Sequence, residues 1–243
     1  MFNAEKIKDE IINWIRNYFD KNGPDCKAVI GISGGKDSSI VAALCVQAIG
    51  ADRVFGVLMP QGHQHDINFS NELVSHLGIK SIVVNINDSV ETTLSEIGKS
   101  GLEINKNAKV NTPARIRMTV LYAVSAIING RVANTGNLSE DYIGYSTKYG
   151  DSAGDFSPLA RLTVAEVKAV GRELSLPAKL IDKLPEDGLT GLSDEDNLGF
   201  SYDVLDKYLR EGICEDSIIK EKIDKLHKIN KHKLELIPCY EKT

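Results

Sequence analysis

Apolar positions along the chain fall into two alternating periods. From Ala4 to Asp20, residues Ile7, Ile11, Ile12, Trp14, Ile15 and Tyr18 recur at helical spacing, and Asn3 stands where an N-cap belongs. Lys27 to Ile32 is a short apolar run that predicts a strand. Ser38 to Ile49 is apolar and alanine-rich, a helix with Gly50 as its stop. The alternation continues with a strand from Arg53 to Met59, a helix from Asp66 to Leu77 ended by Gly78, and a strand from Lys80 to Ile86. Thr112-Pro113 predicts the opening of a long helix that runs to Asn129, with Pro113 at the first helical position. Arg131 to Thr135 reads as a further strand.

Strands alternating with helices imply an α/β fold, doubly wound, with a mainly parallel sheet flanked by helices. Ligands of such sheets bind at the carboxyl ends of the strands, where the glycine-rich segment after Ile32 and Thr135 both fall. The rest of the chain changes character. Gly136 to Leu162 is rich in Gly, Tyr, Asp and Ser with little periodicity, and a loop of that length in a compact domain is usually functional. Thr163 with Glu166 forms a capping box for a following helix. Leu184 to Asn197 is irregular and acidic; Tyr202 to Leu209 and Ile218 to Ile229 are helical in pattern, giving a helical C-terminal part. No repeat or Pro/Ser-rich linker divides the chain, so residues 1–243 are expected to form one domain.

Composition narrows the classes. The formal charge of -5 leaves no global basic field for nucleic acid. Cys26, Cys45, Cys214 and Cys239 form no C-x-x-C pair, which argues against a structural zinc site or a disulfide framework and suits a reducing cytoplasm. The polar start is no signal peptide, and the apolar stretch from Leu121 to Ile128 is too short to span a bilayer, so no membrane association is expected.

The segment Gly31-Ile32-Ser33-Gly34-Gly35-Lys36-Asp37-Ser38 carries the strongest chemical signal. It is neither G-x-x-x-x-G-K-[ST] nor G-x-G-x-x-G. Gly34 and Gly35 permit positive φ, so successive N–H groups can face one concave space. The helix start adds its open N–H groups and positive dipole end, Ser33, Ser38 and Ser39 add hydroxyls, and Lys36 adds a cation. Together they suit a phosphate-like anion. Asp37 would repel phosphates unless a divalent cation lay between; the plainer reading is that Asp37 or Ser38 caps the helix.

This loop resembles the S-G-G-x-D-S signature of the ATP-pyrophosphatase (PP-loop) family, which cleaves ATP between its α and β phosphorus atoms. Ala114-Arg115-Ile116-Arg117-Met118, Thr135-Gly136-Asn137-Leu138-Ser139-Glu140, Thr147-Lys148-Tyr149-Gly150-Asp151 and Asp155-Phe156-Ser157-Pro158-Leu159 follow in the order and spacing of NAD synthetases, and the likeness extends to His232-Lys233. The resemblance implies a ligase that adenylylates deamido-NAD with ATP and then aminates it with ammonia, releasing AMP and pyrophosphate. It implies Mg²⁺ held by Asp37 and Glu140, and ATP held by Gly31 to Ser38 and by Thr135. Arg115, Lys148, Asp155, His232 and Lys233 would bind deamido-NAD. Lys36 and Asp37 would be catalytic, with Asp151 accepting a proton from the incoming ammonium. Read locally, Glu140 is a solvated loop carboxylate, and Thr135 is equally a strand-end hydroxyl bonded to nearby backbone.

Three positions depart from the family pattern: Leu58 where an arginine is frequent, Val164 where a lysine is, and Glu186 where Ser or Thr is, with Lys168 and Lys183 as candidate substitutes. The first core strand begins too early for an amidohydrolase domain in front, and few residues follow Tyr202, so free ammonia is the expected nitrogen source unless a separate chain delivers it. Relatives are homodimers; the helix from Pro113 to Asn129 suits either a symmetry mate or intrachain burial. The competing reading is another PP-loop adenylating enzyme, such as a tRNA-modifying ligase, which the charge and scattered cysteines disfavour.

Overall fold

The computed structural model describes residues 2–182 and 193–241. Helix α1 (Ala4–Asn22) starts where Asn3 accepts from the Lys6 N–H at 2.9 Å. Strand β1 (Lys27–Gly31) leads into α2 (Lys36–Ile49), followed by β2 (Val54–Leu58), α3 (Ile67–Leu77) and β3 (Lys80–Val83). Next come α4 (Asn87–Lys99), α5 (Lys106–Ile128), β4 (Gly130–Val132) and α6 (Leu138–Ile143). The C-terminal part holds α7 (Val164–Arg172), α8 (Ala178–Ile181), α9 (Asp194–Leu198), α10 (Tyr202–Glu211) and α11 (Ser217–Asn230).

The four described strands pair in parallel in the order β3-β2-β1-β4, as the alternating pattern predicts. Successive β1 residues point to opposite faces. Ala28 and Ile30 join the core under α1, α2, α3 and α7, whereas Val29 joins Val57, Val132, Met118, Leu121 and Val124 under α4 and α5. A third apolar cluster, with Ile143, Val164, Tyr202, Leu205 and Ile223, ties α6 to the C-terminal helices. Strand order reverses between β1 and β4, so a crevice opens at their carboxyl ends.

Several boundaries differ from the sequence expectation. Pro113 lies inside α5 and does not open it: Asn105, eight positions earlier, caps the helix by accepting from the Ala108 N–H at 2.9 Å. Helix α6 interrupts the segment expected to be an irregular loop, with Asn137 accepting from the Glu140 N–H at 3.1 Å as its cap. The capping box of α7 forms as expected. Of the acidic stretch from Leu184 to Asn197, the first nine residues (184–192) lie outside the described residues, and Asp194 to Leu198 form α9.

Candidate functional site

The glycine loop turns directly from β1 into α2. Gly34 has φ +79°, and a Cβ there would come within 3.0 Å of the Phe69 Cβ and of the Ser70 Oγ, so conformation and space both require glycine. Gly35, which permits positive φ, is extended here at φ -87° and serves as the N-cap of α2. Helix α2 therefore begins at Lys36, two residues earlier than the pattern predicts.

From Ser33 to Ser38 no loop N–H is taken up by a carbonyl of the described residues. The Ser33 N–H donates to the Ser38 Oγ at 3.4 Å and the Gly35 N–H to the Ser33 Oγ at 3.2 Å. Those of Gly34, Lys36, Asp37 and Ser38 have no protein acceptor among the described residues. Open donors at a helix N-terminus are the requirement for holding an anion.

Lys36 is buried, and its Nζ lies 2.6 Å from the Asp37 Oδ2 and 3.7 Å from the Glu140 Oε1. Burial by itself would lower the Lys36 pKa, but Asp37 and then Glu140 outweigh it and hold the ammonium above its usual value. Burial, followed by the charge of Asp37, pushes the Glu140 carboxyl up, against the opposing pull of Lys36. Asn137 locks the arrangement: its Nδ2 donates to the Asp37 Oδ1 at 3.2 Å while its Oδ1 caps α6.

Asp37 and Glu140 thus flank one point from two separate helices. Two hard oxygen ligands completed by phosphate oxygens suit Mg²⁺. Among the described residues no three His, Cys, Asp or Glu side chains are arranged to hold a metal unaided, so remaining ligands would come from substrate or water. The same cleft is lined by Ser33, Gly35, Ser38, Thr135, Ser146 and Asp151. Among the described residues, Ser146 Oγ and the Tyr202 hydroxyl are buried without a hydrogen-bond partner, and both Glu140 and Asp194 act electrostatically on Tyr202.

Asp151 closes the turn that begins at Thr147, accepting from the Thr147 N–H at 2.7 Å. Burial raises its carboxyl above the usual range despite that N–H, leaving a more basic carboxylate. Beside this turn, residues distant in sequence converge. The Arg115 Nε donates to the Lys148 carbonyl at 3.2 Å, and the Lys148 Nζ donates to the His232 carbonyl at 2.5 Å. The Lys233 Nζ donates to the carbonyls of Gly144 and Ser146, at 2.7 and 2.9 Å.

Asp155 is engaged elsewhere. Its carboxylate accepts from the Val132 N–H at 2.7 Å and the Tyr122 hydroxyl at 3.2 Å, so no hydrogen bond among the described residues joins it to those cations. Of the departing positions, Leu58 is buried in the core and Val164 begins α7. Lys183 and Glu186 lie outside the described residues.

Two residues of this site were not singled out from sequence. Asn137 had a visible signal, since Asn three positions before Glu140 has the form of a helix start. Asp206 had none; its buried carboxylate accepts from the Ser139 Oγ at 2.5 Å and the Ala165 N–H at 2.8 Å, fastening α6 to α7 beside Glu140.

Comparison with known proteins places these features in a family. The model of the family described as NAD synthase matches residues 7–241. The NH(3)-dependent NAD(+) synthetase of Methanocaldococcus jannaschii is 37% identical over 235 residues, covering 91% of this chain and 89% of that protein. Among solved structures, the NMN synthetase from Francisella tularensis is similar with a TM-score of 0.91 and 32% identity, over 99% of both chains. The NH3-dependent NAD synthetase from Campylobacter jejuni gives 0.80 and 26%, over 99% of this chain and 100% of that one.

Proposed function

Because the chain belongs to the NAD synthase family, we propose that it amidates deamido-NAD to NAD with ammonia, using ATP as co-substrate. What supports this reading most directly is the meeting of open loop N–H groups, Lys36, Asp37 and Glu140 at the crevice between β1 and β4. A carboxylate resists ammonia because oxide is a poor leaving group. In the first step a substrate carboxylate oxygen attacks the α-phosphorus of ATP. The bond from that phosphorus to its bridging oxygen breaks, and the electron pair leaves with pyrophosphate. Ammonia then attacks the acyl carbon, and AMP departs with the electron pair of the carbon–oxygen bond.

In this reading the N–H groups of residues 33–38 and Lys36 receive the phosphates that leave, and Thr135 contacts ATP. Asp37 and Glu140 would hold Mg²⁺, which would neutralise charge on the phosphate oxygens. Arg115, Lys148, His232 and Lys233 bind the deamido nucleotide. Asp155 is the exception to that set: its carboxylate is already occupied, so a ribose hydroxyl would have to share it. Asp151 takes the proton of the ammonium, a role its raised pKa supports.

We also propose a single domain over residues 1–243, a cytoplasmic setting and a homodimer without nucleic acid. Exposed Tyr122 and Ile127 on α5 favour a second copy on that face, and no helix among the described residues is long and apolar enough to cross a membrane. The test is to mix protein, ATP, Mg²⁺, ammonium and deamido-NAD. AMP, pyrophosphate and NAD are expected in equal amounts; ADP in place of AMP would refute cleavage at the α-phosphorus.

One observation favours a second reading of the substrate. The TM-score of 0.91 to the NMN synthetase exceeds the 0.80 to the NH3-dependent NAD synthetase, at nearly complete coverage of both. The same chemistry on the mononucleotide would yield NMN. Parallel assays with deamido-NAD and its mononucleotide counterpart decide between them by kcat/KM.

A further inference from the structure

The motif Ala114-Arg115-Ile116-Arg117-Met118 carries a second arginine that none of the roles above uses. Arg117 is part-buried on α5, and its Nε donates to the Met59 carbonyl at 3.1 Å, just beyond the carboxyl end of β2. Met59 also borders the loop, since a Cβ on Gly31 would lie 3.2 Å from the Met59 Cε. The charge that acts on Arg117 is Asp151, in the wall of the cleft that holds Asp37 and Glu140. Asp151 nonetheless gives its Oδ1 to the Thr147 N–H and forms no hydrogen bond or ion pair with Arg117. Among the described residues, the two terminal nitrogens of the guanidinium donate to nothing.

A guanidinium has five N–H donors in a fixed plane. Here one is spent on anchoring to the Met59 carbonyl, and the end-on pair is left without a partner among the described residues. Desolvation weakens the hold on the charge, lowering the Arg117 pKa, with Asp151 opposing. A part-buried cation with an unused planar fork is matched by an anion with two coplanar oxygens. Arg115 is different: it is exposed, and its Nε is docked on the Lys148 carbonyl among the other cations.

We infer that Arg117 binds the carboxylate that is to be adenylylated, through its two terminal nitrogens, and so distinguishes the deamido substrate from the amide product. The inference rests on the proposed amidation and deepens it. Position supports it as well: Arg117 is anchored on Met59, just past the carboxyl end of β2 and against the start of the glycine loop at Gly31. After amidation the fork faces a neutral amide, whose NH₂ is a donor that cannot pair with it, and this favours product release.

The experiment compares affinities for the acid and the amide without ATP. Dissociation constants are measured by calorimetry for deamido-NAD and NAD, and for the corresponding mononucleotide pair, on the wild type, Arg117→Gln and Arg117→Lys. For whichever pair binds, Arg117→Gln should weaken the acid by roughly 10- to 100-fold and the amide by less than about 3-fold, the range for loss of a charge-assisted hydrogen-bonded pair. Arg117→Lys keeps a point charge without the fork and should give an intermediate loss. If Arg117→Gln does not fold, the Lys variant alone must still shift the acid-to-amide ratio. An unchanged ratio, or equal loss for both ligands, overturns the inference while leaving the amidation reading intact. A wild type that binds neither acid and forms no AMP removes the amidation reading, and the inference with it.

Discussion

The two walls of the cleft handle positive charge in opposite ways. In the glycine loop, Lys36 is buried and already neutralised by Asp37 and Glu140. On the facing wall, Lys148 and Lys233 rest on main-chain carbonyls of His232, Gly144 and Ser146. A carbonyl is a dipole, so it leaves the ammonium charge uncancelled. Asp151, in the same turn as Lys148, acts on Lys233, so the positive field that remains to draw in an anionic nucleotide is chiefly that of Lys148. The first presents a balanced set that becomes a phosphate site when a divalent ion takes over the carboxylates. Asp151 apart, the first wall serves chemistry and the cations of the second serve capture, so damage should appear in kcat at Lys36, Asp37 and Glu140 and in KM at Lys148 and Lys233.

The largest break should come from Asp37→Ala. It frees Lys36 from its nearest carboxylate and removes a proposed metal ligand, so kcat should fall by roughly 10³-fold, the equivalent of several kcal/mol. Steady-state assays over a Mg²⁺ series check this; near-normal turnover at ordinary Mg²⁺ would take Asp37 out of the chemistry.

Next in size is Asp206→Ala. The substitution orphans the Ala165 N–H and the Ser139 hydroxyl and loosens α6 against α7. Stability should drop by about 2–3 kcal/mol, the cost of unmet bonds to a buried charged group. Because Glu140 follows Ser139 on α6, kcat should fall about tenfold with the KM for the deamido nucleotide unchanged. Thermal denaturation with kinetics is the check, and a stability loss with unaltered kcat would reduce Asp206 to a structural tie.

The same contrast explains what the chain revealed before folding. Residues of the loop are contiguous, and their chemistry is local: two glycines, a lysine and a carboxylate at a strand-to-helix turn. The parallel sheet was legible for a similar reason, since apolar runs such as Lys27 to Ile32 are closed by glycines. Helix α4 was not read although Val90, Leu94 and Ile97 stand at helical spacing; it buries only Val90 and carries many polar residues between them. Pro113 suggested a helix start, while the true start is set by the Asn105 cap. Helix α6 has six residues, too few for a period to show. The tie between Asn137 and Asp37, and the anchoring of Arg117 on Met59, join residues far apart in the chain and arise from packing alone.

Lys148→Ala probes the capture wall. Removing one uncancelled cation should raise the KM for the deamido nucleotide about tenfold, leave that for ATP within twofold, and barely change kcat. Added salt should mimic it weakly in the wild type, because exposed charges are screened. Equal loss for both substrates would place Lys148 in the shared framework of the cleft.

The smallest effect concerns Asp141, one residue beyond Glu140. Its carboxyl is pushed up to about 6, first by burial and then by the charge of Asp151. An unfolded chain ionises this group near about 3.9. Between those values the fold keeps a proton that the unfolded chain has released, so stability declines as pH rises from about 4 to about 6. Above that range both states are ionised and the full penalty stands. Asp141→Asn removes the titrating group but keeps a side chain of the same shape. Its Tm should therefore match the wild type near pH 4 and exceed it progressively up to about pH 6, then stay ahead by a constant margin, roughly 2–4 °C for each kcal/mol recovered. Scans at half-unit intervals of pH, in the absence of nucleotide and Mg²⁺, read this difference directly. A margin that is flat from pH 4 to 7 would mean that Asp141 ionises in the fold as it does in water, and that the crowding of acids between α6 and Asp151 carries no energetic cost.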